Sequence, residues 1–199
     1  MAQDGGAGSW SRAHVAELAA ALDGLGPALE AVEAWGGVLA ERLERGGRLL
    51  VAGNGGSAAL AEHLAAELVS RFGTTRRGLG ALALSTAGSV VTAIAHDFGA
   101  VDVFARQVEA HARPDDIVLL LSTSGVSPDL VAAAEEARYL GVTTWAMTGR
   151  GPNPLAATCD SVVTVDAPAS STVQEVHQVL VHVLARAVDE AVGRPREAV

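Results

Sequence analysis

From Arg48 onward the chain repeats one texture: a short apolar run closed by Gly, Ser or Thr, then an Ala-rich stretch with helical spacing. The runs are Leu49 to Ala52, Leu79 to Leu84, Ile117 to Leu121, Thr143 to Met147 and Val162 to Val165. Strands that alternate with helices predict an α/β fold, a parallel sheet with helices on both faces. Ahead of this region, Val15, Leu18, Ala19 and Leu22 recur at helical spacing, as do Val32, Trp35, Leu39 and Leu43 after Pro27. They predict two N-terminal helices behind a loose tail over 1–10, with Gly36-Gly37 weakening the second. Near the other end, Val173 to Ala187 places apolar residues at 173, 176, 180, 183 and 187, a heptad-like seam, while Val179 and Val181 make the other sides apolar too. Such a helix is expected to be buried, another subunit being one candidate partner. Residues 11–199 read as a single domain carrying the N-terminal helical pair.

Composition removes several classes of function. The chain has 199 residues and a formal net charge of −9, and all 14 of its basic residues are Arg. Without Lys there is no Schiff-base aldolase, no pyridoxal-phosphate lysine and no P-loop lysine. An acidic balance with no basic run argues against nucleic-acid binding, which rests on neutralising phosphates. The apolar runs stop well short of the roughly 20 residues a membrane span needs. The N-terminus lacks a basic region and an apolar core, so no signal peptide is expected. Cys159 is the one thiol, and a cytoplasmic, reducing setting is expected for it.

Two of the runs end in loops rich in Gly and hydroxyls that lead straight into helical stretches: Gly53-Asn54-Gly55-Gly56-Ser57 and Ser122-Thr123-Ser124-Gly125-Val126-Ser127. Such loops aim backbone N–H groups and hydroxyls at one point, and the helix dipole favours an anion there. Either loop alone is equally well a plain strand-to-helix turn. Two at the carboxyl ends of strands point to a phosphorylated small molecule, with the hydroxyl-rich second loop the better cradle. The GNGGS spacing does not match a dinucleotide fingerprint.

His63 and Glu67 are neighbours on one helical face, suited to a metal or to acid–base work, although the spacing is met by a solvated polar pair as well. In the last helical stretch His177 falls near the apolar stripe and reads as a hydrogen-bonded core residue, whereas Gln174, Gln178 and His182 lie toward the opposite side. His182 is the better functional candidate. Gln174 and His182 stand about 12 Å apart along a continuous helix, so a shared metal needs leaning side chains, a helix starting near Gln174, or two subunits.

The stretches GNGGSAALAEHLAAELVSRF from Gly53, TAIAHDFGAVDVFARQVEA from Thr92, STSGVSPD from Ser122 and VQEVHQVLVHVL from Val173 resemble, in order and spacing, the sugar isomerase (SIS) domain proteins, and within them the phosphoheptose isomerases. The resemblance runs from about Leu49 to Ala187. It implies a three-layer αβα sandwich around a five-stranded parallel sheet, assembled as a homotetramer with active sites at subunit interfaces. It also implies a sugar phosphate held by Ser57, Ser122, Thr123, Ser124 and Ser127, with Asn54, Gly55, Gly56 and Gln174 in the binding region. A zinc ion would be held by His63, Glu67, Gln174 and His182. Glu67 would be the base that moves a proton between C1 and C2 of sedoheptulose 7-phosphate, and His182 the acid that serves the oxygens.

The chain departs from the family pattern at Leu60, Ala87, His96, Val126 and Thr172. Several of these remove polar groups that could meet sugar hydroxyls. Two other readings stand beside the isomerase: a non-catalytic SIS protein that binds a sugar phosphate or a replication-initiator partner, and an isomerase with an altered substrate. Arg76-Arg77 reads as a solvated loop, with a phosphate or neighbouring-subunit contact as the alternative, and Trp10, Trp35 and Trp145 as core or interface packing.

Overall fold

The computed structural model describes residues 7–73 and 75–192, and the apolar runs in it form five strands, β1 (Leu49–Gly53), β2 (Ala81–Ala83), β3 (Ile117–Ser122), β4 (Thr143–Thr148) and β5 (Ser161–Thr164). All pair in parallel, in the order β2-β1-β3-β4-β5. Their side chains alternate between two cores. Leu49, Val51, Ile117, Leu119, Leu121, Trp145 and Met147 point into one, and Leu50, Ala52, Val118, Leu120 and Ala146 into the other.

The helices are α1 (Ala7–Asp23), α2 (Gly26–Glu44), α3 (Gly56–Val69), α4 (Gly88–Asp97), α5 (Ala105–His111), α6 (Pro128–Tyr139), α7 (Pro154–Thr158) and α8 (Ser170–Ala191), with a 3-10 turn at Ala100–Asp102. Residues of α2, α3 and α8 fill the first core, and residues of α5, α6 and α7 the second. The sheet lies between two helical layers, as the alternation predicts.

Local differences from the sequence reading have physical causes. Residues 1–6 of the expected tail lie outside the described residues, and residues 7–10 belong to α1. The strand expected over 79–84 contracts to an edge strand paired only with β1, because the Leu79 N–H turns to the Leu68 carbonyl of α3. Gly36 does not interrupt α2: a Cβ there would sit 2.3 Å from the Ala187 Cβ, so glycine lets α2 and α8 approach closely. In α8 the buried stripe is Val173, Val176, His177, Leu180, Val181, Leu184, Ala185 and Val188. It follows the 3.6-residue period of a straight helix and drifts off the heptad seam, leaving Val183 and Ala187 at its margin. Trp35 and Trp145 are buried and stacked on each other at 4.7 Å, and Trp35 Nε1 donates to Ser161 Oγ. Trp10 is exposed and lies flat against His14.

Candidate active site

Strands β1 and β3 are neighbours, yet α3 leaves β1 toward one face of the sheet and α6 leaves β3 toward the other. This reversal opens a crevice at the carboxyl ends of the strands, where open α/β sheets bind ligands. Both glycine- and hydroxyl-rich loops flank it.

In the first loop, the Asn54 carbonyl accepts from Ser57 N at 2.9 Å and the Gly55 carbonyl from Ala58 N at 3.1 Å, starting α3 within the loop itself. The Asn54 amide donates to Asp129 Oδ2 at 2.8 Å, tying this loop to the first turn of α6. Ser57 is buried. Gly56 leaves space that the Gln174 amide fills: a Cβ at 56 would lie 2.1 Å from Gln174 Nε2. In the second loop, buried Ser122 accepts from Gly125 N through Oγ at 3.0 Å, and Ser124 Oγ accepts from Val126 N at 3.4 Å. Ser127 occupies the cap position of α6 without capping it, its hydroxyl lying 3.4 Å from Ser122 Oγ. The first-turn N–H groups of α6 are therefore not taken by that hydroxyl. Thr123 is half-buried and Ser124 exposed. Beside the first loop lies a cavity of about 310 Å³ bordered by Asn54, Ser85, Phe104 and Asp129.

Farther along α3 and α8, three of the expected site residues meet. His63 Nε2 lies 2.9 Å from His182 Nε2 and 3.6 Å from Glu67 Oε1. Two ring nitrogens at that separation share one proton, so at least one presents a lone pair. The Phe72 ring lies 5.5 Å from the His182 ring, and Gln178 Nε2 is 3.0 Å from His182 Nε2. A larger cavity, about 650 Å³, opens beside His182 and is bordered by Phe72, Val179, Val183 and Arg186.

Two imidazoles and a carboxylate are the donor set of a catalytic zinc. Ligands of one tetrahedral zinc stand about 3.3 Å apart when each bond is about 2.0 Å, so the His63 and His182 nitrogens need part by only a few tenths of an ångström. The residues fit the ion in kind, although among the described residues no three His, Cys, Asp or Glu side chains already surround a common point. α8 begins at Ser170, so Gln174 and His182 share one continuous helix. Among the described residues Gln174 makes no hydrogen bond to His63, Glu67 or His182, and its amide lies against Gly56 of the first loop.

Two contacts escaped the sequence reading. Gln178 precedes His182 by one helical turn, so the spacing already carried the signal. Asp129 meets Asn54 from 75 residues away, and no local pattern announces that. Arg76 corrects an expectation: it is not solvated, its guanidinium being held between α3 and α8 by carbonyls and a buried carboxylate. Among the positions that depart from the family pattern, Leu60 packs in the first core, Thr172 is buried, and Ala87, His96 and Val126 are exposed. His177 is fully buried, with Nε2 3.3 Å from the Thr148 carbonyl and Nδ1 unpartnered.

Comparison with known proteins places relatives around this arrangement. A model of the SIS domain matches residues 14–149. A phosphoheptose isomerase of Streptomyces coelicolor is 51% identical over 181 residues, spanning 91% of this chain and 78% of the relative. The structure of a phosphoheptose isomerase from Francisella tularensis superposes with a TM-score of 0.84 at 30% identity, covering 96% of this chain and all of that one. One from Neisseria gonorrhoeae gives the same TM-score at 34% identity, covering 91% of this chain and 98% of that one.

Proposed function

Because the chain belongs to the SIS domain family, and within it to the phosphoheptose isomerases, we propose that it interconverts sedoheptulose 7-phosphate and D-glycero-D-manno-heptose 7-phosphate through an enediol. The observation that carries this reading is the meeting of Glu67, His63 and His182 on two helices beside a crevice flanked by two anion-type loops. The relatives favour the enzyme over a non-catalytic sugar-phosphate-binding protein.

The phosphate is assigned to the hydroxyls of Ser122, Thr123, Ser124 and Ser127, the N-terminal end of α6, and Ser57 with Gly55 and Gly56. Asn54 and Gln174 border the path from this cradle toward α8. Glu67 takes a proton from C1 of the ketose, giving the enediol, and returns it at C2. His182 gives a proton to the C2 oxygen while the C1 hydroxyl loses one, so charge on oxygen stays balanced. His63 orients both partners through its contacts. Zinc, held by His63, Glu67 and His182, with Gln174 as the fourth ligand the family pattern supplies, would polarise the oxygens of the reacting carbons.

The assembly belongs to this proposal as well. A homotetramer with shared sites is supported by the cavity open beside His182 and by exposed Val179 in its lining. A cytoplasmic location accords with a single unpaired cysteine, Cys159; among the described residues no helix is long and apolar enough to cross a membrane.

The test is direct: zinc-loaded protein is mixed with sedoheptulose 7-phosphate and aldose formation followed. Wild type turns over, while Glu67→Gln and His182→Ala each lose about 100-fold or more in kcat. A wild-type chain without turnover rejects the proposal.

A further inference from the structure

The chemistry above leaves one buried ion pair unused. Arg76 lies in the connection between α3 and β2 with a side chain 7% exposed, and Asp189, near the end of α8, is fully buried. A guanidinium and a carboxylate withdrawn from water are costly unless their hydrogen-bonding positions are filled. Here they are filled. Arg76 Nε donates to Asp189 Oδ1 at 2.5 Å, Nη1 to the Leu68 carbonyl at 2.8 Å and Nη2 to the Glu67 carbonyl at 3.0 Å. The second oxygen of Asp189 accepts from Gly73 N at 2.8 Å. The Glu67 and Leu68 carbonyls are among the last four of α3, which no helical N–H serves.

The placement of these contacts is what matters. Asp189 follows His182 by two turns on the same side of α8, and Glu67 follows His63 by one turn on α3. Arg76 therefore bolts the two helices together directly beyond the point where the reacting side chains meet. The same connection lays Phe72 against the His182 ring. We propose that Arg76 and Asp189 are positioning residues that set α3 against α8 and so hold Glu67 and His182 at their working separation. The inference rests on the isomerase reading of the site.

Arg76→Lys keeps a cation for Asp189, but a lysine cannot also reach both carbonyls in the fork geometry of a guanidinium. It is expected to fold with a melting temperature a few degrees lower and to lose about 10- to 100-fold in kcat, the size expected when reacting groups are misplaced by about 1 Å. KM stays within about twofold, since the phosphate loops are untouched. Amide exchange at residues 66–70 accelerates. The reversed pair R76D/D189R regains melting temperature relative to R76D alone and does not regain kcat, because aspartate has no N–H for the Glu67 and Leu68 carbonyls. Folded Arg76→Lys with wild-type kcat overturns the inference, as does a reversed pair that restores kcat along with stability. A wild-type chain that fails to turn over the sugar phosphate overturns the isomerase reading instead, and exchange at residues 66–70 still reads whether the bolt holds α3.

Discussion

His177 shows how one side chain couples packing to solution conditions. Burial pushes its imidazole down to about 4, against the smaller opposing effect of the Thr148 carbonyl. In the unfolded chain the ring takes up a proton near pH 6.5, so between about 6.5 and 4 the unfolded state binds a proton that the folded state refuses. Stability from this residue is fully present above about pH 6.5 and is lost as pH falls toward 4, by roughly 3 kcal/mol at most. Urea titrations of wild type and His177→Gln at pH 7 and pH 4.5 check this: the wild type loses more stability between the two, and equal losses reject the account. Cys159 is held the other way, burial raising its thiol to about 12, so it is no nucleophile at neutral pH. The core role of His177 was legible because it falls on the apolar stripe of α8. The burial of Arg76 was not, since its carboxylate partner lies 113 residues on.

At the scale of elements, α1 is fastened to the start of α8 by a carboxylate from outside the helix. Glu17 accepts from Ala169 N at 3.2 Å and from Thr172 Oγ at 2.6 Å, and His14 meets Glu175 at 3.0 Å. Ala169, the residue at the cap position, has no side chain that could cap; Glu17 instead takes, from outside the helix, the part of the acidic residue of a capping box that accepts from the cap residue's own N–H, and its charge favours the positive end of the helix dipole. Glu17→Ala is expected to cost about 1–2 kcal/mol, read by chemical denaturation, with Glu17→Gln recovering part of it; no change in either variant rejects the capping role. The departure at Thr172 thereby gains a local reason, its hydroxyl being the group that Glu17 grips. Strands and long helices were legible because their apolar periods differ; helical spacing put His63 beside Glu67 but suited a solvated polar pair as well, and their grouping with His182 of another helix came from the family resemblance. Helix-to-helix fastenings such as Glu17 to α8 were not, because each joins residues whose neighbours in sequence give no sign of the partner.

For the whole molecule, the strand order puts the two loops on either side of one crevice, which converts two weak local signals into one candidate site. Its chemistry runs against the long-range field. The chain carries a formal charge of −9 and no lysine, so on the proposed function a sugar phosphate would approach uphill and depend on hydroxyls and backbone N–H groups at short range. Added salt screens that repulsion without weakening the short contacts. Between roughly 20 and 200 mM salt kcat/KM is therefore expected to stay level or rise by about twofold, and a tenfold fall in steady-state assays would show attraction by distant cations instead. The paired indoles of Trp35 and Trp145 give the fold a signature of its own: rings stacked this close, with their planes nearly parallel, couple their strongest electronic transitions, so circular dichroism in the far ultraviolet is expected to carry an exciton doublet. That doublet vanishes when α2 lifts from the sheet and is indifferent to Trp10, making it an optical gauge of the seam that binds the N-terminal helices to the rest.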